Sequence, residues 1–206
     1  MTFEPLTADR RRQQTRDYLL QAAAQVFAAR GFHAATLDEV AAAAGFTKGA
    51  VYSNFKNKED LFLALLETIY SQEMSELREM LGSSDVPSEE RLGDFVGMIR
   101  NEMERIPENW GTLYLEFCLY ALRNPAARAR LNELEQADAL AVADLIEGER
   151  QGLGIDPLVR PENTARIINA LFRGIGLMRT LDPDADNEEL LKDAMSFVAR
   201  GLGVEP

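Results

Sequence analysis

Histidine and cysteine are almost missing from this chain: one of each, His33 and Cys118, in 206 residues. A lone cysteine forms no intrachain disulfide, and with a single histidine it leaves no Cys/His zinc site. One histidine is also a poor resource for nucleophilic catalysis, which needs a base beside its nucleophile. No P-loop, Gly-x-Gly-x-x-Gly or His-Glu-x-x-His motif occurs. Long apolar runs are missing too; none approaches the ~20 residues that span a bilayer. The N-terminal arginines are followed by no apolar stretch, so neither a secretory signal nor a membrane partner is expected, and the default location is the cytoplasm. Thirty-four acidic residues make chance carboxylate pairs inevitable, so a small helical enzyme stays as a remote alternative. The expectation is a protein that is no enzyme and holds no metal or cofactor.

Positive charge is the other scarce commodity. Lys and Arg number 22 against 34 Asp and Glu, a formal charge of −12. Taken whole, that argues against a nucleic-acid binder, because phosphate contacts need cations. The distribution argues otherwise. Residues 1–60 hold eight basic residues and seven acidic ones, a surplus of one, which leaves −13 on residues 61–206. Only four lysines exist, and Lys48, Lys56 and Lys58 are three of them. A nucleic-acid-facing head on an acidic body has this kind of asymmetry.

What is present is helical periodicity, with no convincing period-2 strand. The expected fold is all-α, about nine helices. After a polar arm ending near Asp9, a first helix runs to about Arg30, with Leu19, Ala23, Val26 and Phe27 on one stripe and Gly31 as its C-terminal stop. Thr36 to Glu39 has the form of a capping box that opens a second helix. Leu37, Val40, Ala41 and Ala44 are its inward face, and Gly45 ends it. A short third helix, capped by Thr47, reaches about Phe55. Asn57 caps a fourth, about 58–81, apolar on more than one side (Leu61, Phe62, Leu65, Leu66, Ile69, Tyr70), as a helix wedged between two domains needs. Further helices are expected at about 88–105, 109–123, 125–150, 161–181 and 187–202, punctuated by prolines. The domain division is placed at 1–57 and 58–206, with the fourth helix shared.

Residues 36–55 give helix, Gly-containing turn and helix in about twenty residues, the helix-turn-helix layout whose second helix enters the major groove N-terminus first. Lys48 is placed to contact a base edge or a phosphate. Gly49 has no side chain to hold the backbone away from DNA. Tyr52, one turn further on, offers a hydroxyl to phosphate, while Val51 and Phe55 face inward. Lys58 adds a cation at the start of the next helix, a phosphate clamp.

Residues 22–45 and 46–61, including Gly31, Thr36, Gly45, Gly49, Tyr52, Phe55, Lys58 and Leu61, resemble in register the TetR family of bacterial transcription regulators. The resemblance implies a homodimeric regulator, typically a repressor, that binds a palindromic double-stranded operator and is released by a small-molecule effector in the C-terminal body. Activator action or the lack of an effector remains the alternative, as does an interaction module that has lost DNA binding. Matched to the motif, Thr36, Thr47, Lys48, Gly49, Tyr52, Ser53, Asn54 and Lys58 are the expected DNA contacts. Many members have His where Asn54 stands. Arg11 and Arg12, in the run Arg10–Arg12, are expected to touch phosphate; a merely solubilising arm is the other reading.

The body resembles the family only in plan. Ala170–Pro183 looks like the penultimate helix of the family's dimer interface, where Leu171, Gly174, Ile175, Met195 and Val198 are expected to meet a second copy, the glycines permitting close approach. Trp110, Tyr114, Phe117 and Cys118, with Phe95, Met98, Met103, Phe172 and Met178 opposite, are the candidate ligand pocket. Ordinary core is the competing fate of the same residues. Cys118 is most simply a buried thiol, with a redox role as the lesser reading, and His33 a solvated turn residue.

Overall fold

The computed structural model describes residues 7–81, 110–153, 160–182 and 187–201. Among them every regular element is helical: α1 (Ala8–Ala34), α2 (Leu37–Ala43), α3 (Lys48–Asn54), α4 (Lys58–Leu81), α5 (Trp110–Arg123), α6 (Pro125–Leu153), α7 (Pro161–Leu181) and α8 (Asn187–Gly201). The all-α expectation is met. The helix expected at 88–105 lies outside the described residues, as do Phe95, Met98 and Met103. No described helix is long and apolar enough to cross a membrane.

The chain divides into two compact units. The first comprises Met1–Thr68 and Leu113–Arg128, the second Ile69–Thr112 and Ala129–Pro206.

In the first unit the apolar stripe of α1 is buried at Leu19, Ala23 and Phe27, as are Leu37, Val40 and Ala41 of α2 and Val51 of α3. Residues 61–66 of α4 are buried in unbroken succession. A helix buried on all sides needs partners on all sides. The rings show two of them: Phe62 meets Phe27 of α1 edge-on at 5.4 Å and stacks on Phe117 of α5 at 4.3 Å. Phe32 closes the cluster, 5.4 Å from Phe62, 4.9 Å from Phe117 and 5.1 Å from Tyr120. Such pairs contribute about 0.5–1.5 kcal/mol each beyond the area they bury. The apolar residues of α4 at 61–66 are thus answered largely by α1 and α5 within this one unit.

Gly31 sits at the centre of this packing. Helix α1 does not stop at Arg30: the backbone breaks at Gly31 (φ 73°, ψ 168°), then completes one more turn to Ala34. Few L-residues adopt that φ. A Cβ here would also lie 2.7 Å from the Glu116 carboxylate, the end of a side chain that would have to shift to admit it. That carboxylate accepts a 2.6 Å hydrogen bond from the Phe32 N–H. Glu116 of α5 therefore satisfies a backbone donor that the break in α1 sets free.

The second unit packs differently. Ala139, Ala143 and Ala165 form a core cluster with Val142 and Ile146 against it, so α6 and α7 meet over small residues. Gly111 lies close to the backbone of α7; a Cβ there would be 3.5 Å from the Gly176 carbonyl oxygen. Polar groups also enter this unit. The Tyr70 hydroxyl donates to Glu135 (2.9 Å), Arg173 pairs with Glu135, and the Asn169 amide donates to Asp138 (2.9 Å). Burial pushes the Tyr70 phenol far above its ordinary value, with the Glu135 charge acting in the same direction. Burial likewise raises Asp138, opposed by the Asn169 hydrogen bond.

Candidate nucleic-acid interface

The interface is built from caps outward. Thr36 and Glu39 form a capping box: the Thr36 hydroxyl accepts from the Glu39 N–H (3.2 Å), and the Glu39 carboxylate accepts from the Thr36 N–H (2.9 Å). The Thr36 hydroxyl also donates to that carboxylate (2.9 Å), and this bond, the Thr36 N–H and then the charge of Arg30 at 3.4 Å hold the Glu39 carboxyl below its usual range. At the other end of α2 the Phe46 N–H bonds the Ala41 carbonyl (2.9 Å) and the Gly45 N–H the Ala42 carbonyl (3.2 Å). This is the Schellman arrangement, with Gly45 at φ 72°. A Cβ on Gly45 would meet nothing within 4 Å, so conformation alone selects glycine there. The turn thus aims α3, which Thr47 caps by accepting from the Ala50 N–H (3.3 Å).

The helix buries Val51 and turns the opposite side outward. Lys48, Gly49, Tyr52 and Ser53 are exposed, Tyr52 at 58%. Its phenol is open to a partner outside the chain. Lys48 pairs with Asp38 of α2, which raises its pKa and poises the ammonium at the start of the exposed face. Gly49 carries no packing constraint, since a Cβ would meet only the Thr47 hydroxyl at 3.7 Å.

Three expected contacts prove to have work inside the fold. Lys58 donates to the carbonyls of His33 (2.8 Å) and Ala35 (2.9 Å) and lies 4.9 Å over the Phe32 ring. It ties down the end of α1, its pKa lowered by partial burial, and one of its three N–H donors is left for a phosphate. The Thr36 hydroxyl serves the capping box. Asn54 donates its amide to the Ala50 carbonyl (2.8 Å) and to the Ser53 hydroxyl (3.4 Å).

Arg11 and Arg12 are helical and exposed. The polar arm expected to reach Asp9 ends earlier, because Thr7 caps α1 by accepting from the Arg10 N–H (3.3 Å). Arg16, which sequence reasoning passed over, lies with its guanidinium 4.5 Å from the Phe55 ring centre and donates to the Asn54 carbonyl (3.2 Å). Glu116 was passed over as well, being 84 residues from its partner.

The candidate pocket residues fall in both units. Phe117 is fully buried in the aromatic cluster of the first, where Tyr114 and Cys118 are half-buried; Met178, in the second, is exposed. Trp110 and Phe172 lie on α5 and α7. Of the expected dimer residues, Ile175 and Val198 are buried, Leu171 and Gly174 half-buried, and Met195 lies on α8. Among the described residues, no group of three or more His, Cys, Asp or Glu could hold a metal ion.

Among the described residues, the N-terminal helices form a capped helix-turn-helix with an exposed polar face, the layout of a DNA-binding head. Residues 19–65 match the model for bacterial regulatory proteins of the tetR family. The chain is 41% identical over 70 residues to the transcriptional activator FasR of Mycolicibacterium smegmatis, which covers 34% of this chain and 32% of that one. It is 26% identical over 192 residues to the transcriptional regulator UidR of Escherichia coli K12, covering 92% and 90%. The chain thus spans about a third of FasR's length and nearly all of UidR's. A solved TetR-family regulator from a Rhodococcus species superposes with a TM-score of 0.74 at 24% identity, covering 92% of this chain and 99% of that one. The N-terminal segment thus matches the tetR family, and the fold of the chain is similar to that of a TetR-family regulator.

Proposed function

We propose that this regulator is a homodimeric repressor that binds a palindromic operator and leaves it when a small molecule occupies its body. Residues 1–57 act as the head and 58–206 as the regulatory and dimerising part, in the cytoplasm and without catalysis. The observation that carries this is the exposed face of α3, where Lys48, Gly49, Tyr52 and Ser53 project beside a buried Val51. In a two-fold dimer two such faces lie about one DNA turn apart, roughly 34–36 Å, or a multiple of it, which is why the operator should be palindromic.

Support for the dimer comes from α7 and α8. They carry exposed Ile167, Met178, Leu181, Leu190 and Phe197, with Leu181 and Phe197 about three-quarters exposed. A Cβ on Gly174 or Gly176 would meet nothing within 4 Å inside the protomer. Two helix-interior glycines, each costing about 1 kcal/mol of propensity relative to Ala, make sense if a second copy comes close. An effector that binds better to a wider-spaced dimer would draw the population off DNA, with Tyr114 and Cys118 among its candidate contacts. The name of FasR makes activation the second reading.

A gel-shift titration on the DNA upstream of the protein's own gene, with excess random competitor, tests the proposal. A discrete competitor-resistant shift, released by an effector and accompanied by lower transcription in vitro, is expected. A stable complex that raises transcription would replace repression by activation, and a folded dimer that shifts no genomic fragment would remove the operator.

A further inference from the structure

The first unit holds a second basic feature, apart from the exposed face of α3. An open groove of about 330 Å³ is lined by Asp9, Arg12, Gln13 and Arg16 of α1 and Asn54 at the end of α3. Its two arginines outweigh its one carboxylate. Arg16 is the distinctive member. It is half-buried, its guanidinium held against the Phe55 ring and bonded to the Asn54 carbonyl. A guanidinium has five N–H donors in a fixed fork. One goes to Asn54, and an immobilised cation costs less entropy to engage than a free one. Asn54 meanwhile spends its own amide on Ala50 and Ser53, so in this groove the cations come from α1. Arg16 also covers the carbonyl end of α3, whose partial negative charge would repel a phosphate.

We propose that this groove is the seat of one DNA backbone phosphate, with Arg16 as its fixed anchor and Arg12 and Gln13 on its rim. The inference rests on the DNA-binding reading above and extends it to residues outside the helix-turn-helix. Arg16 positions and neutralises; it reads no base. Its contribution should be the same on every sequence and should show in the salt dependence, where each neutralised phosphate contributes about 0.9 to the slope of log K against log salt.

The test is fluorescence anisotropy of the full-length protein on a random 30-bp duplex over a series of salt concentrations. Arg16→Gln should weaken binding several-fold and flatten the slope by about 0.9. Arg12→Gln should act in the same direction, and Arg16→Lys, which keeps the charge, should hold the slope. Arg128→Gln, a substitution on α6, should change nothing. Arg16 also packs on Phe55, so loss of affinity alone could reflect a disturbed head; a changed slope with unchanged circular dichroism could not. If Arg16→Gln unfolds, Arg12→Gln decides, because Arg12 is exposed. Unaltered slopes in the folded glutamine variants, with Lys48→Ala still weakening binding, would overturn the seat while leaving the DNA-binding reading intact. A wild-type protein that binds no duplex at all would overturn both.

Discussion

The two units stabilise themselves by opposite means. The first concentrates large rings: Phe27, Phe32, Phe62 and Phe117 are each 1–2% exposed or less and touch one another. Among its described residues the second packs Ala139, Ala143 and Ala165 together, buries aliphatic Leu131, Ile168, Ile175 and Val198, and admits a charged cluster at Tyr70, Glu135 and Arg173. A ring cluster has one good arrangement, because the ring faces and edges must interdigitate. That suits a head that must present α3 in a fixed orientation. Alanine seams leave helices in contact over smooth surfaces, and a polar cluster can exchange partners. That suits a body proposed to change shape with an effector.

The contrast predicts unequal costs for equal damage. Phe32→Ala removes a ring from the centre of the head and should cost about 3–5 kcal/mol of stability, with DNA binding falling as the fold does. Ala143→Gly in the second unit loses only a methyl and some helix propensity, about 1–2 kcal/mol. Urea denaturation of both variants measures the difference. Similar losses would mean that the rings are no more decisive than the alanine seam.

Gly31→Ala comes next in size. It forces an L-side chain into φ 73° and drives a Cβ to 2.7 Å from Glu116. The conformational part alone is about 1–2 kcal/mol; relieving the contact adds the lost hydrogen bond to Phe32, about 1–3 kcal/mol when the buried donor is orphaned. A double-mutant cycle separates them. In a Glu116→Ala background the Gly31→Ala cost should shrink to the conformational part. Additive costs would show that Glu116 swings away freely and does not hold the break in α1.

Why the head was so much more legible than the body follows from the range of its signals. Gly31, the Thr36–Glu39 box, Gly45, Thr47 and Asn57 act over one to five residues, and each is a residue type with a stated conformational or capping role. The Thr7 cap was legible by the same rule, with Asp9 in the first turn, yet the arginine run drew attention to an arm. Boundaries in the body came out closely where Pro161 opens α7 and Asn187 opens α8, again local marks. What periodicity does not give is the partner of a face. Glu116 and Phe32 are 84 residues apart, Tyr70 and Glu135 65, and no spacing rule links them. Nor does the apolar pattern of α4 name the rings of α1 and α5 that lie against Phe62.

A smaller effect isolates a local signal from the ring cluster. Thr36→Ala leaves every ring in place and removes the hydroxyl that accepts from the Glu39 N–H and donates to the Glu39 carboxylate, while the Thr36 N–H still donates to Glu39. The substitution should cost about 1 kcal/mol, with a pH signature. Glu39 is held below its usual pKa through Thr36, so its stabilisation is present above the ordinary carboxylate range and is lost as pH falls through it. Wild-type and variant stabilities should therefore converge on acidification. A gap that stays constant from pH 7 to pH 3 would assign the loss to the bond from the Glu39 N–H alone.

The smallest effect probes the polar side of the comparison. Asp138 is raised in pKa by burial, faces the Asn169 amide, and has Glu135 and Arg173 as its charged neighbours. For a carboxyl with a raised folded-state pKa, stability is highest when the group is protonated and falls as pH rises through that pKa. Asp138→Asn keeps the group neutral at every pH, and its side-chain oxygen still accepts from Asn169. The variant should be slightly more stable than wild type at pH 7, by less than about 1 kcal/mol because the site is partly open to solvent. The advantage should vanish below about pH 4, where Asp138 itself is neutral. Chemical denaturation at the two pH values decides. A variant less stable at pH 7 would mean that attraction to Arg173 outweighs burial, and the cluster would then hold the body as firmly as the rings hold the head.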